Sequence, residues 1–178
     1  TRGITRTFAI QELTLPIALS GQDLIGQART GMGKTYGFGV PLLDRVFDDA
    51  DIEELDGTPR ALVVVPTHEL AQQVTKDLQV AAADIPVRLV SIYGGRPYEE
   101  QITKLNKGAD VIIGTPGRLI DLHERGNLQL DRVAILVLDE ADEMLDLGFL
   151  PSVEAILQAL DGNAHQTMLF SATMPGAI

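Results

Sequence analysis

The chain has 178 residues, 45% of them hydrophobic, and a formal net charge of -11, which suits one domain with one sizeable core. It contains no cysteine, so disulfides, thiolate metal sites and a cysteine nucleophile are excluded. No apolar run approaches the ~18 residues of a membrane span, and the N-terminal stretch has neither the apolar block nor the small-residue cleavage site of a signal peptide; a cytoplasmic protein with no membrane partner is expected.

In chain order, "DLIGQA" (23–28) reads as a first strand, and the glycine-rich "ARTGMGKT" (28–35) leads from it into a helix over 35–47. The following "DDADIEELDG" (48–57) is predominantly acidic with no basic residue, and reads as a solvated loop that leaves the rest of the chain closer to neutral. Then come a strand "ALVVV" (61–65), a helix over 68–83, a strand "RLVSIY" (88–93), a helix over 97–107, a strand "DVIIG" (110–114) and a helix over 116–124. The strand "AILVLD" (134–139), a helix over 150–160 and the strand "TMLFS" (167–171) complete the pattern. Near-continuous apolar strands that alternate with helices predict an α/β domain, a parallel β-sheet with helices on both faces. Ligands in such sheets lie at the carboxyl ends of the strands, so the residues after each strand are where chemistry is expected.

After the first strand, "ARTGMGKT" matches the phosphate-binding loop G-x-x-x-x-G-K-[ST] except at Ala28. Gly31 and Gly33 would let backbone N–H groups turn inward around phosphate oxygens at the positive end of the helix opened by Lys34 and Thr35, with Lys34 on the β- and γ-phosphates and Thr35 on Mg²⁺. At the end of another strand, "AILVLDEADEML" (134–145) runs apolar residues into Asp139, Glu140 and Asp142. A divalent cation and a lysine would neutralise carboxylates so placed, which suits Asp139 as a metal ligand and Glu140 as the base that orients and deprotonates a water. An acidic helix N-terminus would account for Glu140 and Asp142, but not for the apolar strand leading in.

Together these segments resemble the DEAD-box RNA helicases. "DEAD" stands at 139–142, and "ARTGMGKT" (28–35), "PTHELA" (66–71), "GG" (94–95), "TPGR" (115–118) and "SAT" (171–173) fall in the order and approximate spacing of the family's first RecA-like domain. The resemblance spans essentially the whole chain, and its wording looks bacterial. It implies a RecA-like P-loop domain over residues 1–178 that binds ATP and Mg²⁺ and grips RNA without reading its sequence. Gln11 falls where the family reads the adenine edge, and Arg29, Thr30, Gly31, Met32, Gly33, Lys34 and Thr35 fall on the nucleotide loop. Lys34, Asp139 and Glu140 take the catalytic places, and Thr35 and Asp139 those that hold the metal. Asp142, Ser171 and Thr173 would link nucleotide state to domain closure. Pro66, Thr67, His68, Glu69, Gly94, Gly95, Thr115, Pro116, Gly117 and Arg118 lie in the segments that grip single-stranded RNA in the family, through backbone and small-residue contacts. Thr115 and Gly117 also suit the turn and N-cap of the helix that follows.

The chain departs from the family pattern in three places. Thr7 and Phe8 stand where the adenine-reading segment usually has Pro-Thr, the stacking aromatic would precede Thr1, and His68 replaces an arginine. A histidine is mostly neutral at neutral pH and cannot grip a phosphate with two parallel bonds, so weaker RNA binding that tightens on acidification is expected. The chain ends at "SATMPGAI", and a second RecA-like domain with its arginine finger is expected elsewhere in a longer protein. The domain alone is expected to be monomeric, to bind nucleotide and to hydrolyse it very slowly. Two other readings stay open from sequence: a DNA-directed relative of the same superfamily, and a nucleotide-gated RNA clamp whose hydrolysis is incidental.

Overall fold

A computed structural model describes residues 23–27, 34–48, 56–163 and 165–173. Six strands form one sheet: β1 (Leu24–Gln27), β2 (Ala61–Val64), β3 (Leu89–Ile92), β4 (Val111–Gly114), β5 (Ile135–Leu138) and β6 (Gln166–Ser171). Their spatial order is β1-β6-β5-β2-β4-β3, and every neighbouring pair is parallel. The helices are α1 (Lys34–Asp48), α2 (His68–Ala81), α3 (Tyr98–Lys107), α4 (Pro116–Glu124), α5 (Ala141–Asp146) and α6 (Leu150–Ala159). All six predicted strands and all five predicted helices are present, with ends that differ by a residue or two. The short α5 had no counterpart among the expected elements: six residues beginning in an acidic cluster carry too little periodicity to signal a helix.

The near-continuous hydrophobicity of the strands has a plain cause, since both faces of the sheet are covered. Ala61, Val63, Val111, Ile113, Ile135, Val137, Met168 and Phe170 turn to one face and pack beneath Phe38 and Leu42 of α1 and Val74 and Leu78 of α2. Leu62, Val64, Ile112, Leu136 and Leu138 turn to the other, beneath Leu119 and Leu122 of α4, Met144 of α5 and Val153 and Ile156 of α6. Alternation is therefore present in where the side chains point and absent from their polarity.

One edge of the sheet carries everything that follows. The ladder of backbone hydrogen bonds continues one residue past the strand ends, with Val65 N–H donating to Gly114 O at 2.9 Å, Thr115 N–H to Ile92 O at 3.0 Å and Asp139 N–H to Val64 O at 2.9 Å. The first residues of the segments after β2, β4 and β5 are thus held by the sheet rather than by their own loops. Gly114 makes this close approach possible: a Cβ there would lie 2.3 Å from the carbonyl oxygen of Ile92. Backbone cannot yield as a flexible side chain does, so Gly114→Ala is expected to cost at least about 2 kcal/mol. Urea unfolding against the parent chain checks this, and an unchanged midpoint would show that the edge can spread.

Candidate nucleotide and RNA site

The nucleotide-type segments cluster at the carboxyl ends of β1, β6 and β5. Gln27 at the end of β1 is in register with Ser171 at the end of β6, and Leu138 of β5 is paired with Leu169 of β6. The loop after β1, the "SAT" segment after β6 and the "DEAD" segment after β5 are therefore set on three adjacent strands. Gln11, Arg29, Thr30, Gly31, Met32 and Gly33 lie outside the described residues, as do Thr7 and Phe8. Lys34 opens α1 and Thr35, half-buried, follows it in the first turn.

Asp139 is almost fully buried at the end of β5. Glu140 next to it is the only non-glycine residue with positive φ among the described residues, at φ 54° and ψ 52°. A left-handed conformation costs a residue with a Cβ about 1 kcal/mol or more. It turns the chain sharply from β5 into α5 at the N-cap of that helix.

Asp142, in the first turn of α5, joins the ends of β5 and β6. Its Oδ2 accepts from the Thr173 amide at 3.1 Å and from the Thr173 hydroxyl at 2.9 Å, while its own N–H donates to Ser171 Oγ at 3.2 Å. The buried Ser171 hydroxyl in turn donates to the Thr173 carbonyl, and Asp142 Oδ1 accepts from the Glu143 amide at 3.0 Å. Burial, the largest single influence, pushes the Asp142 carboxyl upward, but the bonds from Thr173, Ser171 and Glu143 outweigh it and hold the group below its ordinary range. Glu143 moves the other way: burial, then a hydrogen bond with Glu140, then the charges of Glu140, Asp142 and Asp146 all push it up. Negative charge is thus crowded around Glu140 and Glu143.

The RNA-type segments occupy the ends of the other three strands. Thr67 caps α2, its hydroxyl oxygen accepting from Leu70 N–H at 3.2 Å, which fixes Pro66 and Thr67 at the end of β2. His68 is exposed, with Nε2 3.0 Å from Glu69 Oε1, and its ring stacks on Tyr93 at a centroid distance of 5.8 Å. Thr115 is the N-cap of α4, as expected, but its hydroxyl makes no capping bond; Pro116 and Gly117 lie in the first turn rather than in a preceding loop. Gly95 has φ +82°, whereas Gly94 and Gly117 do not adopt such a conformation, and a Cβ on any of the three would meet nothing within 4 Å. Nothing in the described part of the domain requires glycine at 94 or 117. Their absent side chains leave bare backbone facing outward.

Sequence reasoning missed the side chains that hold these segments together. Tyr93 receives a hydrogen bond on its hydroxyl from Gln72 Nε2 at 3.0 Å and one on its carbonyl from Gln101 Nε2 at 2.9 Å. Arg118 donates to the Arg96 carbonyl and to Gln101 Oε1, both at 2.8 Å. Its guanidinium also lies 4.0 Å from the centroid of the Tyr98 ring, beside which Arg125 lies at 4.1 Å. Tyr98 donates to Asp121, which pairs with Arg125. Arg118, expected among the RNA-gripping residues, is thus engaged with the backbone and side chains around the turn at 94–97. Gln101 is buried inside a polar-looking helix, and the sequence carries no signal of that burial.

Similarity to known proteins agrees with this layout. The family model for the DEAD/DEAH box helicase matches residues 8–178. The chain belongs to that family. Over 177 residues it is 48% identical to DEAD-box ATP-dependent RNA helicase 53 of Oryza sativa subsp. japonica, covering 99% of this chain and 29% of the relative. It is 47% identical to DEAD-box ATP-dependent RNA helicase CshA of Streptococcus pneumoniae, covering 99% of this chain and 32% of that one. The chain thus spans about a third or less of the curated relatives it matches. A crystal structure of the yeast DEAD-box splicing factor Prp28 superposes with a TM-score of 0.88 at 34% identity, over 99% of this chain and 42% of that one. Relatives of this DEAD-box domain carry bacterial, chloroplastic and mitochondrial labels, and no described helix is long and apolar enough to cross a membrane.

The depressed carboxyl of Asp142 gives the DEAD-box domain a pH signature. Its contribution to stability is complete above the unfolded value, about 4, and is lost as pH falls through the lower folded value. The stability difference between the parent and Asp142→Asn, measured by urea unfolding, is expected to shrink steadily below about pH 4. A constant difference down to about pH 2 would show that the Thr173 bonds do not depend on the carboxylate.

Proposed function

We propose that this DEAD-box domain is the ATP-binding half of an ATP-dependent RNA helicase, an RNA-dependent ATPase in its full-length form, and the N-terminal RecA-like domain over residues 1–178. The observation that carries the reading is the junction at Asp142, where one carboxylate ties the segment after β5 to the segment after β6 through Thr173 and Ser171. The junction lies within the nucleotide-type half of the sheet edge (β1, β6, β5), and its β5 is the strand that borders β2 of the RNA-type half (β2, β4, β3), so a change at one half has a short mechanical path to the other.

On this reading Gln11 reads adenine and residues 29–35 wrap the phosphates, with Lys34 on the β- and γ-phosphates. The donor set fits Mg²⁺, which prefers one or two hard protein oxygens supplemented by water and phosphate. Thr35 and Asp139 would be those oxygens, and the cation when bound would neutralise charge on the transferring phosphoryl group. Glu140 orients the attacking water and takes its proton. Pro66, Thr67, His68, Glu69, Gly94, Gly95, Thr115, Pro116 and Gly117 form the RNA track, where bare backbone and helix N-termini meet phosphate and sugar. Arg118 is a positioning residue that holds the turn of Gly94 and Gly95. Asp142, Ser171 and Thr173 couple nucleotide state to closure with a second RecA-like domain. On this reading an arginine finger supplied by that domain would speed hydrolysis by about 10³-fold or more.

Calorimetric titration with ADP and Mg²⁺, beside GDP and a Gln11→Ala variant, tests the reading. Binding of ADP that is lost with GDP and with Gln11→Ala is expected, and equal binding of both nucleotides by both proteins would remove the adenine assignment. For RNA, His68→Arg is expected to raise affinity at neutral pH, because a guanidinium is always charged and can grip a phosphate with two parallel bonds. Equal affinities of parent and variant would place His68 outside the RNA track.

A further inference from the structure

A second concave surface lies behind the "DEAD" segment, on the face of the sheet covered by α5 and α6. Leu138, Ala141, Met144, Val153, Leu157 and Leu169 line a largely apolar cavity of about 200 Å³, with Glu154 the one charged side chain at its wall among the described residues. Its rim is open. Leu147, Leu150 and Leu157 are 51%, 37% and 39% exposed, and Leu150 and Leu157, two turns apart, share one side of α6 with Glu154 between them. In the sheet, Leu138, Leu169 and Ile25 lie in one cross-strand row, and Ile25 at the outer end of that row is 69% exposed. Exposed leucines grouped around a groove differ from isolated surface leucines, which need no explanation.

Charge narrows the occupant. Residues 133–164 contain no lysine, arginine or histidine, while Glu154 lines the groove and the exposed Asp146 follows Leu145 of its lining. RNA and anionic lipid surfaces would be repelled, and a second copy of this acidic chain would bring like charge to the same rim. We propose that this groove docks a partner protein through a short amphipathic helix, with leucine- or methionine-type residues entering the cavity and lysines or arginines flanking them. This is the recognition mode in which apolar anchors at helical spacing enter a groove and surrounding charges set the partner. Leu138 and Ala141 bracket Asp139 and Glu140 in sequence, so the occupant rests against the segment that carries those carboxylates. Docking of this kind is independent of the nucleotide and RNA reading.

The probe is a labelled amphipathic peptide of about 14 residues, with leucines at i, i+4, i+7 and i+11 and lysines beside them. It is compared with the same peptide carrying glutamates for lysines and with a scrambled one. Fluorescence anisotropy on the 178-residue chain is expected to give saturable binding of the lysine peptide on the order of 10 µM, and at least about tenfold weaker binding of both controls. Leu157→Ser and Glu154→Lys, both on the exposed side of α6, are each expected to weaken binding about fivefold or more without moving the thermal midpoint by more than about 3 °C. Methyl NMR should place the largest shifts on Leu150, Leu157 and Met144. The proposal is overturned by absence of saturable binding, by equal binding of the glutamate or scrambled peptide, or by binding that survives both substitutions. Sedimentation showing a dimer that Leu157→Ser dissolves would equally overturn it, since the occupant would then be a second copy.

Discussion

Everything functional in this domain depends on one constraint: six strands that all run the same way must all end at the same edge. A parallel sheet requires a crossover between every pair of strands, and the crossovers place helices over both faces. Its backbone is then shielded from water, and its ladder stays intact to the last residue. Because the ladder extends past the strand ends to Val65, Thr115 and Asp139, the segments that follow start from fixed positions. Loops that would otherwise wander are launched from a rigid rim, which is the arrangement that phosphate and backbone recognition needs.

The rim is also divided. Strand order puts β1, β6 and β5 on one side and β2, β4 and β3 on the other, and the chain starts on the first side with β1, builds the whole second side and then returns for β5 and β6. Sequence-distant segments are therefore made adjacent, as Gln27 and Ser171 are. Each half is braced differently. The nucleotide-type half uses charge and hydroxyl contacts around Asp142, whereas the RNA-type half uses amide and guanidinium contacts around Tyr93, Gln101 and Arg118.

Much of this was legible in the sequence because the same residues that build the strands also announce the segments after them. Apolar runs such as 61–65 and 110–114 located the strands, and the turn and acid residues behind them located the edge. The unread parts have a common physical origin, which is that they depend on pairs of residues far apart in the chain. Gln101 reads as a surface residue of an exposed helix until Tyr93 and Arg118 are brought beside it. Arg118 reads as one of the RNA-gripping residues, and only the fold shows that its Nη1 also braces Arg96 O and Gln101. The short α5 escaped because its start is set by the backbone turn at Glu140, and no propensity scale favours a left-handed glutamate.

That left-handed glutamate sets fold and chemistry against one another. Glycine would adopt φ 54° with no Cβ penalty, so a library of this domain sorted for thermal resistance alone should drift toward glycine at position 140. Under the proposed function, the same library sorted on turnover in the full-length protein should hold glutamate there. The residue at 140 would then report which pressure a population of sequences had experienced, and the difference between the two sorted populations would measure how much stability the site gives up to keep a carboxylate beside Asp139.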